Sequence, residues 1–525
     1  MQSPTRLLVY SSTQNKIFMK NNIFLLVLAA SLFAACARQA EIPAESTPVN
    51  EAADIYPDYR DIVVPPNIAP LNFMVKSEGD EYVAAVTDGK RTVTAGAAAD
   101  GKLAFDSTEW RQLLAEAKGK ELAVTVYAKR GADWVQFPKY GIGVAEEPID
   151  PYLSYRLIEP SYELYRQLGL YQRNLENFSE SVIYENNRSY ERDNNHCVNC
   201  HNYQAYDTQH MLFHVRAQHG GTVFVENGKV RKVNMKCDSI LSSTVYPTWH
   251  PKRNWVVFSS NQTGQTFHMV NRQKIEVVDY GSDLVFFDAD KNTLTNILKT
   301  DSELETFPCW TPDGKSVVYC SARVPQFAGV PDSVRRDRVS DIYDSLHYSL
   351  RIIDFDEQTR YFSAPRTLVN ADSLGTSIAV PRVSPDGRYV LFTMADYGQF
   401  HIWHKNADLY VKDLQTGEVR PLTPANSEYA DSYHNWSSNG RWIVVASRRE
   451  DNNYSRVFIA YFDKDGQAHK AFLLPQEDPE HNILLEKSYN VPELTKNAVP
   501  VTPEELKKAI YEDDAAQKVS YKKSN

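Results

Sequence analysis

The sequence predicts a mainly β protein: a six-bladed β-propeller with five blades visible as repeats, preceded by a small β-sandwich-like domain and a helical connector. Three observations predict it. Aromatic residues are plentiful, with 31 Tyr and 22 Phe in 525 residues, and they sit in Val-rich runs typical of half-buried, twisted strands. A hairpin of similar pattern recurs four times after Gly220, three of its turns carrying Pro-Asp-Gly or Asn-Gly. A second strand pair follows the hairpin in these units, giving two hairpins per repeat of roughly 50 to 70 residues, which is the content of a propeller blade.

The recurring hairpin reads as follows. Tyr246-Pro247-Thr248-Trp249-His250-Pro251 leads into Trp255-Val256-Val257-Phe258, and Phe307-Pro308-Cys309-Trp310-Thr311-Pro312-Asp313-Gly314 leads into Ser316-Val317-Val318-Tyr319. Pro381-Arg382-Val383-Ser384-Pro385-Asp386-Gly387 leads into Tyr389-Val390-Leu391-Phe392, and Asn435-Trp436-Ser437-Ser438-Asn439-Gly440 leads into Trp442-Ile443-Val444-Val445. Pro-Asp-Gly and Asn-Gly supply the positive φ of a tight hairpin turn. The second pairs are plainest at Asp283–Asp288 into Thr293–Leu298 and at Asp408–Asp413 into Glu418–Leu422. A fifth, incomplete unit comprises Met211–Val215 and Thr222–Val233, so a sixth blade comes from flanking sequence or the ring is smaller.

The elements before and after the repeats are read in chain order. Met19-Lys20-Asn21-Asn22 followed by the apolar run Ile23–Phe33 and Ala34-Ala35-Cys36 has the build of a secretory signal, with Met19 as a candidate start. Cys36 after Ala34-Ala35 resembles a bacterial lipobox, so residues 1–36 are expected to be a signal peptide and Cys36 a lipid anchor. Residues 37–60 read as a linker. Residues 61–147 read as a β-sandwich-like domain with one helix from Ser107 to Lys118, capped by Ser107 or Thr108. Residues 148–195 read as a helical connector, with helices at Ser161–Leu168 and Leu170–Phe178. The propeller is expected over 206–485, and 486–525 reads as a polar, peripheral tail with a short helix from Thr502 to Ile510.

The chemistry is concentrated at 196–219. Cys197-Val198-Asn199-Cys200-His201 is a C-x-x-C-H motif, in which two thiols reach the two vinyl groups of one haem and the next histidine ligates the iron. Covalent attachment takes place outside the cytoplasm in bacteria, which agrees with the independent export signal. Haem c, single and covalent, is therefore the expected cofactor, held by Cys197, Cys200 and His201. A thioredoxin-type pair, a zinc site and a plain disulfide are the open alternatives. The sixth iron ligand is sought among His214, Met211, His219 and His210, in that order, and Arg216 could face a haem propionate. Cys237, Cys309 and Cys320 remain, with no pairing that spacing can assign.

The four hairpins resemble the propeller repeats of the TolB family, whose hallmark is a Trp-Ser-Pro-Asp-Gly hairpin, over about Gly220 to Leu474. That resemblance implies a periplasmic platform for protein contacts and fixes no partner. The expected function is an exported haem-c lipoprotein on the periplasmic side of the envelope, at the outer membrane, serving electron transfer or redox-linked partner binding. The alternatives are a non-redox scaffold and a peroxidase-like enzyme with an open haem. No G-x-S-x-G, H-E-x-x-H, Walker or dinucleotide motif is present, so the reading leans away from an enzyme. A net charge of -10 excludes a broad nucleic-acid-binding face.

Overall fold

Each blade of this protein is a sheet buried on both faces, because it is sandwiched between its neighbours in a ring. The computed structural model describes residues 40–159, 168–186, 196–267 and 275–523. The expected leader with Cys36 and residues 161–167 of the first expected connector helix lie outside the described residues.

Six sheets form the ring. Blade 2 comprises His196–Gln204, Asp207–Ala217, Gly221–Glu226 and Lys229–Asn234, and blade 3 comprises Thr244–Trp249, Trp255–Phe267, Ile275–Asp288 and Thr293–Leu298. Blades 4, 5 and 6 begin at Glu303–Trp310, Ser377–Val383 and Asp431–Trp436. Blade 1 joins the two ends of the propeller: its innermost strand is Ser488–Thr495, and Tyr152–Ile158, Gly169–Asn174 and Glu180–Glu185 follow outward. The innermost strands touch in sequence, and the ring closes where Ser488–Thr495 meets His196–Gln204.

Two expectations are corrected by this closure. The connector is not helical where it is described, since Gly169–Asn174 is a strand in place of the expected Leu170–Phe178 helix. Its first five residues are all buried, so the period of two that marks a one-sided strand is absent, and Tyr and Leu fall by chance at helical spacing. The tail is not peripheral either: Tyr489 and Leu494 on the Ser488–Thr495 strand are each 1 % exposed. Beyond it, helix Pro503–Tyr511 starts from a Thr502–Glu505 capping box and buries Leu506 and Ile510. Gln517–Lys518 and Ser520–Tyr521 then add parallel fifth strands to blades 2 and 3.

The stretch read as a linker also folds from residue 40 onward. Thr47–Pro48 pairs with Asp133–Gln136 and Ile55–Tyr56 pairs with Phe73–Val75, while Ala53, Ile55 and Tyr59 are buried. These strands belong to a seven-stranded and a three-stranded sheet that pack with helix Ser107–Glu116, whose N-cap is Asp106 in place of the expected Ser107 or Thr108. The Asp106 carboxylate accepts from the Thr108 and Glu109 N–H groups. The domain shares one core with blade 6, Leu122 and Val144 packing in the same cluster as Trp442 and Ile459. Trp442 Nε1 donates to the Glu147 carbonyl at 3.1 Å and Tyr461 Oη to Glu147 Oε2 at 2.9 Å. Among the described residues, no helix is long and apolar enough to cross a membrane.

One buried carboxyl ties the ring's stability to pH. Glu305, on the innermost strand of blade 4, is 1 % exposed, and its Oε2 has no hydrogen-bond partner. Burial, then Asp283 and Glu303, push its pKa from 4.5 up to about 9, so it is neutral at neutral pH. A carboxyl with a raised folded pKa contributes stability that is full below its unfolded pKa and lost as pH rises through the folded one. Glu305→Gln is therefore expected to match the parent at pH 5 and to exceed it by on the order of a few kcal/mol at pH 9. Urea denaturation at the two pH values checks this, and a difference independent of pH would contradict it.

Candidate functional site

The C-x-x-C-H motif is itself the innermost strand of blade 2, His196–Gln204, paired antiparallel with Asp207–Ala217. It fills the missing hairpin arm of the incomplete fifth unit. Its register breaks between Asn199 and Asn202, where Cys200 and His201 bulge out, and Cys200 takes a positive φ of 53°. Positive φ is costly for a residue with a Cβ, on the order of 1–3 kcal/mol, and persists only where the surroundings enforce it.

Here the surroundings are a six-fold pattern. The innermost strand of every blade carries one such residue: Cys200, Tyr246, Phe307, Val380, Tyr433 and Val491, with φ between 47° and 54°. Each sits at a register shift against its neighbouring strand. All six line one central cavity of about 740 Å³. The following residue is His201, Pro247, Pro308, Pro381, His434 or Pro492. Proline suits a bulge because it has no N–H to leave unpaired. The third residue in each blade, Asn202, Thr248, Cys309, Arg382, Asn435 or Glu493, lines a second cavity of about 290 Å³. Consecutive residues thus form stacked rings down the channel, and Cys200 and His201 of the motif, with Asn202 after it, supply one member of each.

Cys197, Asn199, Cys200 and His201 all line the larger cavity. Both cysteines are free thiols and buried, and burial pushes the Cys197 thiol pKa up. Burial, then Arg156, drives the His201 imidazole pKa down to about 3, while a hydrogen bond to the Val491 backbone pulls the other way. It is therefore neutral at neutral pH, the form that binds a metal. His201 Nε2 has no hydrogen-bond partner, and the nearest carboxylate oxygen, Glu493 Oε2, is 3.9 Å away and equally unpartnered. Asn202 and Asn435 donate to the other Glu493 oxygen at 3.4 and 3.3 Å. Burial pushes Glu493 up to about 7.

The four residues expected to supply a sixth ligand are elsewhere. His214 lies on the second strand opposite Asn199, 3.5 Å from Thr222 Oγ1. Met211 is in the hydrophobic core of the blade. His219 contacts Asp513 at 2.7 Å and the Tyr511 ring at the C-terminal helix, and His210 faces Asp207 and Asn227. None of the four lines the cavity, whose one histidine among the described residues is His201. Met211 and His214 are buried within the blade on its second strand. Arg216, by contrast, is the cross-strand partner of Cys197 and does line the cavity. Cys237, Cys309 and Cys320 are free thiols.

The wall also includes Arg156, Arg448 and Trp403, which no motif marks, and Arg382 of the third repeated hairpin. The signal for the rings was present in the sequence as an X-Pro or X-His pair three or four residues before the end of each innermost strand, X being Cys200, Tyr246, Phe307, Val380, Tyr433 or Val491. His214→Ala is expected to lower stability by about 1–3 kcal/mol through its lost burial and hydrogen bond. The same substitution should leave any optical band of a cavity-bound chromophore unmoved, which a spectrum and a melting curve together check.

No family model matches the chain. A stretch of 142 residues, 27 % of the chain, is 29 % identical to an uncharacterised protein of Agrobacterium fabrum, of whose length the match spans 36 %. Among solved structures, an oligogalacturonate lyase in complex with manganese is 12 % identical, with 60 % of this chain and 72 % of that one covered at a TM-score of 0.35. A prolyl endopeptidase is also 12 % identical, with 62 % and 42 % covered at 0.33. The β-propeller domain of Cps50 (Swd1) from Myceliophteria thermophila is 8 % identical, with 72 % and 96 % covered at 0.29. The protein is a β-propeller. Its own six sheets and closed ring carry that statement.

Proposed function

We propose that this protein carries one covalent c-type haem in the central cavity of the propeller and serves electron transfer or redox-linked partner binding in the cell envelope. The observation that carries the reading is the donor set. Two thiols lie on one wall of a 740 Å³ cavity, together with a neutral imidazole whose Nε2 has no protein partner. Those are the residues a C-x-x-C-H haem requires, so the site fits the group. Cys197 and Cys200 would hold the porphyrin through thioethers, and His201 would ligate the iron. Bound there, the haem supplies a one-electron couple. The chain's own contribution is to exclude water around His201, keep its ring neutral, and surround the porphyrin with Tyr246, Phe307 and Tyr433.

The signal at Met19 and the lipobox-like Cys36 support a lipid-anchored location on the periplasmic side, at the outer membrane. The repeats' likeness to TolB propellers supports contact with an envelope protein.

The test is a haem assay on the denatured chain. The full chain, expressed with its leader beside cytochrome c maturation factors, is expected to keep about one haem per chain after denaturation, read as a pyridine haemochrome. Denatured protein without haem, with Cys197 and Cys200 titrating as a disulfide, would overturn the reading in favour of a scaffold.

A further inference from the structure

Three arginines in the cavity wall have no acidic partner. Arg156 donates from Nη1 to the Val198 carbonyl at 3.3 Å and from Nη2 to Asn490 Oδ1 at 3.0 Å. Arg382 donates to the Pro381 carbonyl at 3.0 Å. Arg448, 3 % exposed, stacks on Trp403 at 3.4 Å from the ring centroid and donates to the Asn453 carbonyl. All these partners are neutral, and no carboxylate of the described residues comes within 4.0 Å of the three guanidiniums.

Several arginines elsewhere pair with carboxylates, while Arg173 and Arg456, outside the cavity wall, are also buried on neutral partners. Arg388 meets Asp413 at 2.8 Å and Arg449 meets Asp431 at 2.7 Å. Among the described residues, the one carboxylate on the cavity wall is Glu159, which pairs with Lys487 at 3.4 Å. A guanidinium withdrawn from water without a close counter-charge is expensive, and burial pulls Arg448 down to about 9 although Asp451 and then Tyr433 act to raise it. Three such groups around one cavity leave its wall with positive charge that no carboxylate of the described residues meets within 4.0 Å.

We propose that Arg156, Arg382 and Arg448 form an anion-binding arc that takes the carboxylates of the molecule seated in this cavity, its two propionates if that molecule is haem. The identity of the ligand rests on the haem reading above; the demand for anionic groups does not. Arginine is suited to the task because its planar fork accepts a carboxylate bidentately and stacks on aromatic rings, as Arg448 does on Trp403.

The test uses the full chain with Cys197→Ser and Cys200→Ser, so that no covalent bond can form. Protoporphyrin IX and its dimethyl ester are titrated against it by quenching of tryptophan fluorescence. The free dicarboxylate is expected to bind at least about tenfold more tightly than the ester. Arg382→Met, at a half-buried position that tolerates substitution better than Arg448, and Arg448→Met are each expected to shrink that preference. Equal affinity for acid and ester, or a preference that neither substitution changes, overturns the proposal. A chain without covalent haem that still prefers the dicarboxylate defeats the haem reading and leaves the arc standing. A haem-loaded chain whose thiol-free form shows no preference does the reverse.

Discussion

Ending the chain at Lys487 is expected to abolish cooperative folding, whereas ending it at Glu512 should cost only a few degrees of Tm. The first truncation removes Ser488–Thr495, the innermost strand of blade 1, and exposes the ladder edge of Tyr152–Ile158. It also removes Tyr489, Leu494, Leu506 and Ile510, all at most 1 % exposed. At about 1.5–3 kcal/mol for each buried side chain, their loss matches the whole net stability of a typical domain, about 5–15 kcal/mol. The open strand edge adds an aggregation hazard. Ending at Glu512 keeps the ring and the Pro503–Tyr511 helix. It forfeits the short parallel strands at Gln517–Lys518 and Ser520–Tyr521 and the Asp513 contacts with Lys232 and His219. Circular dichroism melts of the two truncations separate the cases. A cooperative transition in the shorter chain would show that the ring does not depend on this closure.

The contrast with what the sequence makes legible is instructive. The four hairpins around Pro251, Gly314, Gly387 and Gly440 are readable because their turns need a specific chemistry and recur. Blade 1 is not, because its strands come from both ends of the propeller and no local pattern links residues 152–185 to 488–495. Burial on both faces hides their alternation as well, as at Gly169–Asn174. For the site, the motif residues are legible and their neighbours are not. Arg156, Arg382 and Arg448 sit on different blades and meet only because the ring closes. The search for a sixth ligand near the motif failed for a related reason. Met211 and His214, close in sequence on the next strand, are buried within the blade, while Tyr433 and Val491, far along the chain, line the same cavity as Cys200.

The six-fold bulge makes the final prediction. His201 occupies the position held by Pro247, Pro308, Pro381 and Pro492 in four other blades, so His201→Pro is expected to fold with a Tm within a few degrees of the parent. A proline elsewhere in an innermost strand would cost about 3 kcal/mol or more by deleting a ladder hydrogen bond. At this bulge the register has already parted from the neighbouring strand, between Asn199 and Asn202. The haem reading then splits two functions that a larger disruption would confound. With Cys197 and Cys200 intact, the variant should still stain for covalent haem on a denaturing gel. Its spectrum should lose the signature of imidazole ligation, and its midpoint potential should move. Cys197→Ser with Cys200→Ser should do the opposite, removing the stain entirely while sparing the fold. An unfolded His201→Pro protein would refute the equivalence of the six bulges. A folded one with an unaltered haem spectrum would show that the iron takes its ligand from elsewhere, because proline offers no nitrogen to it.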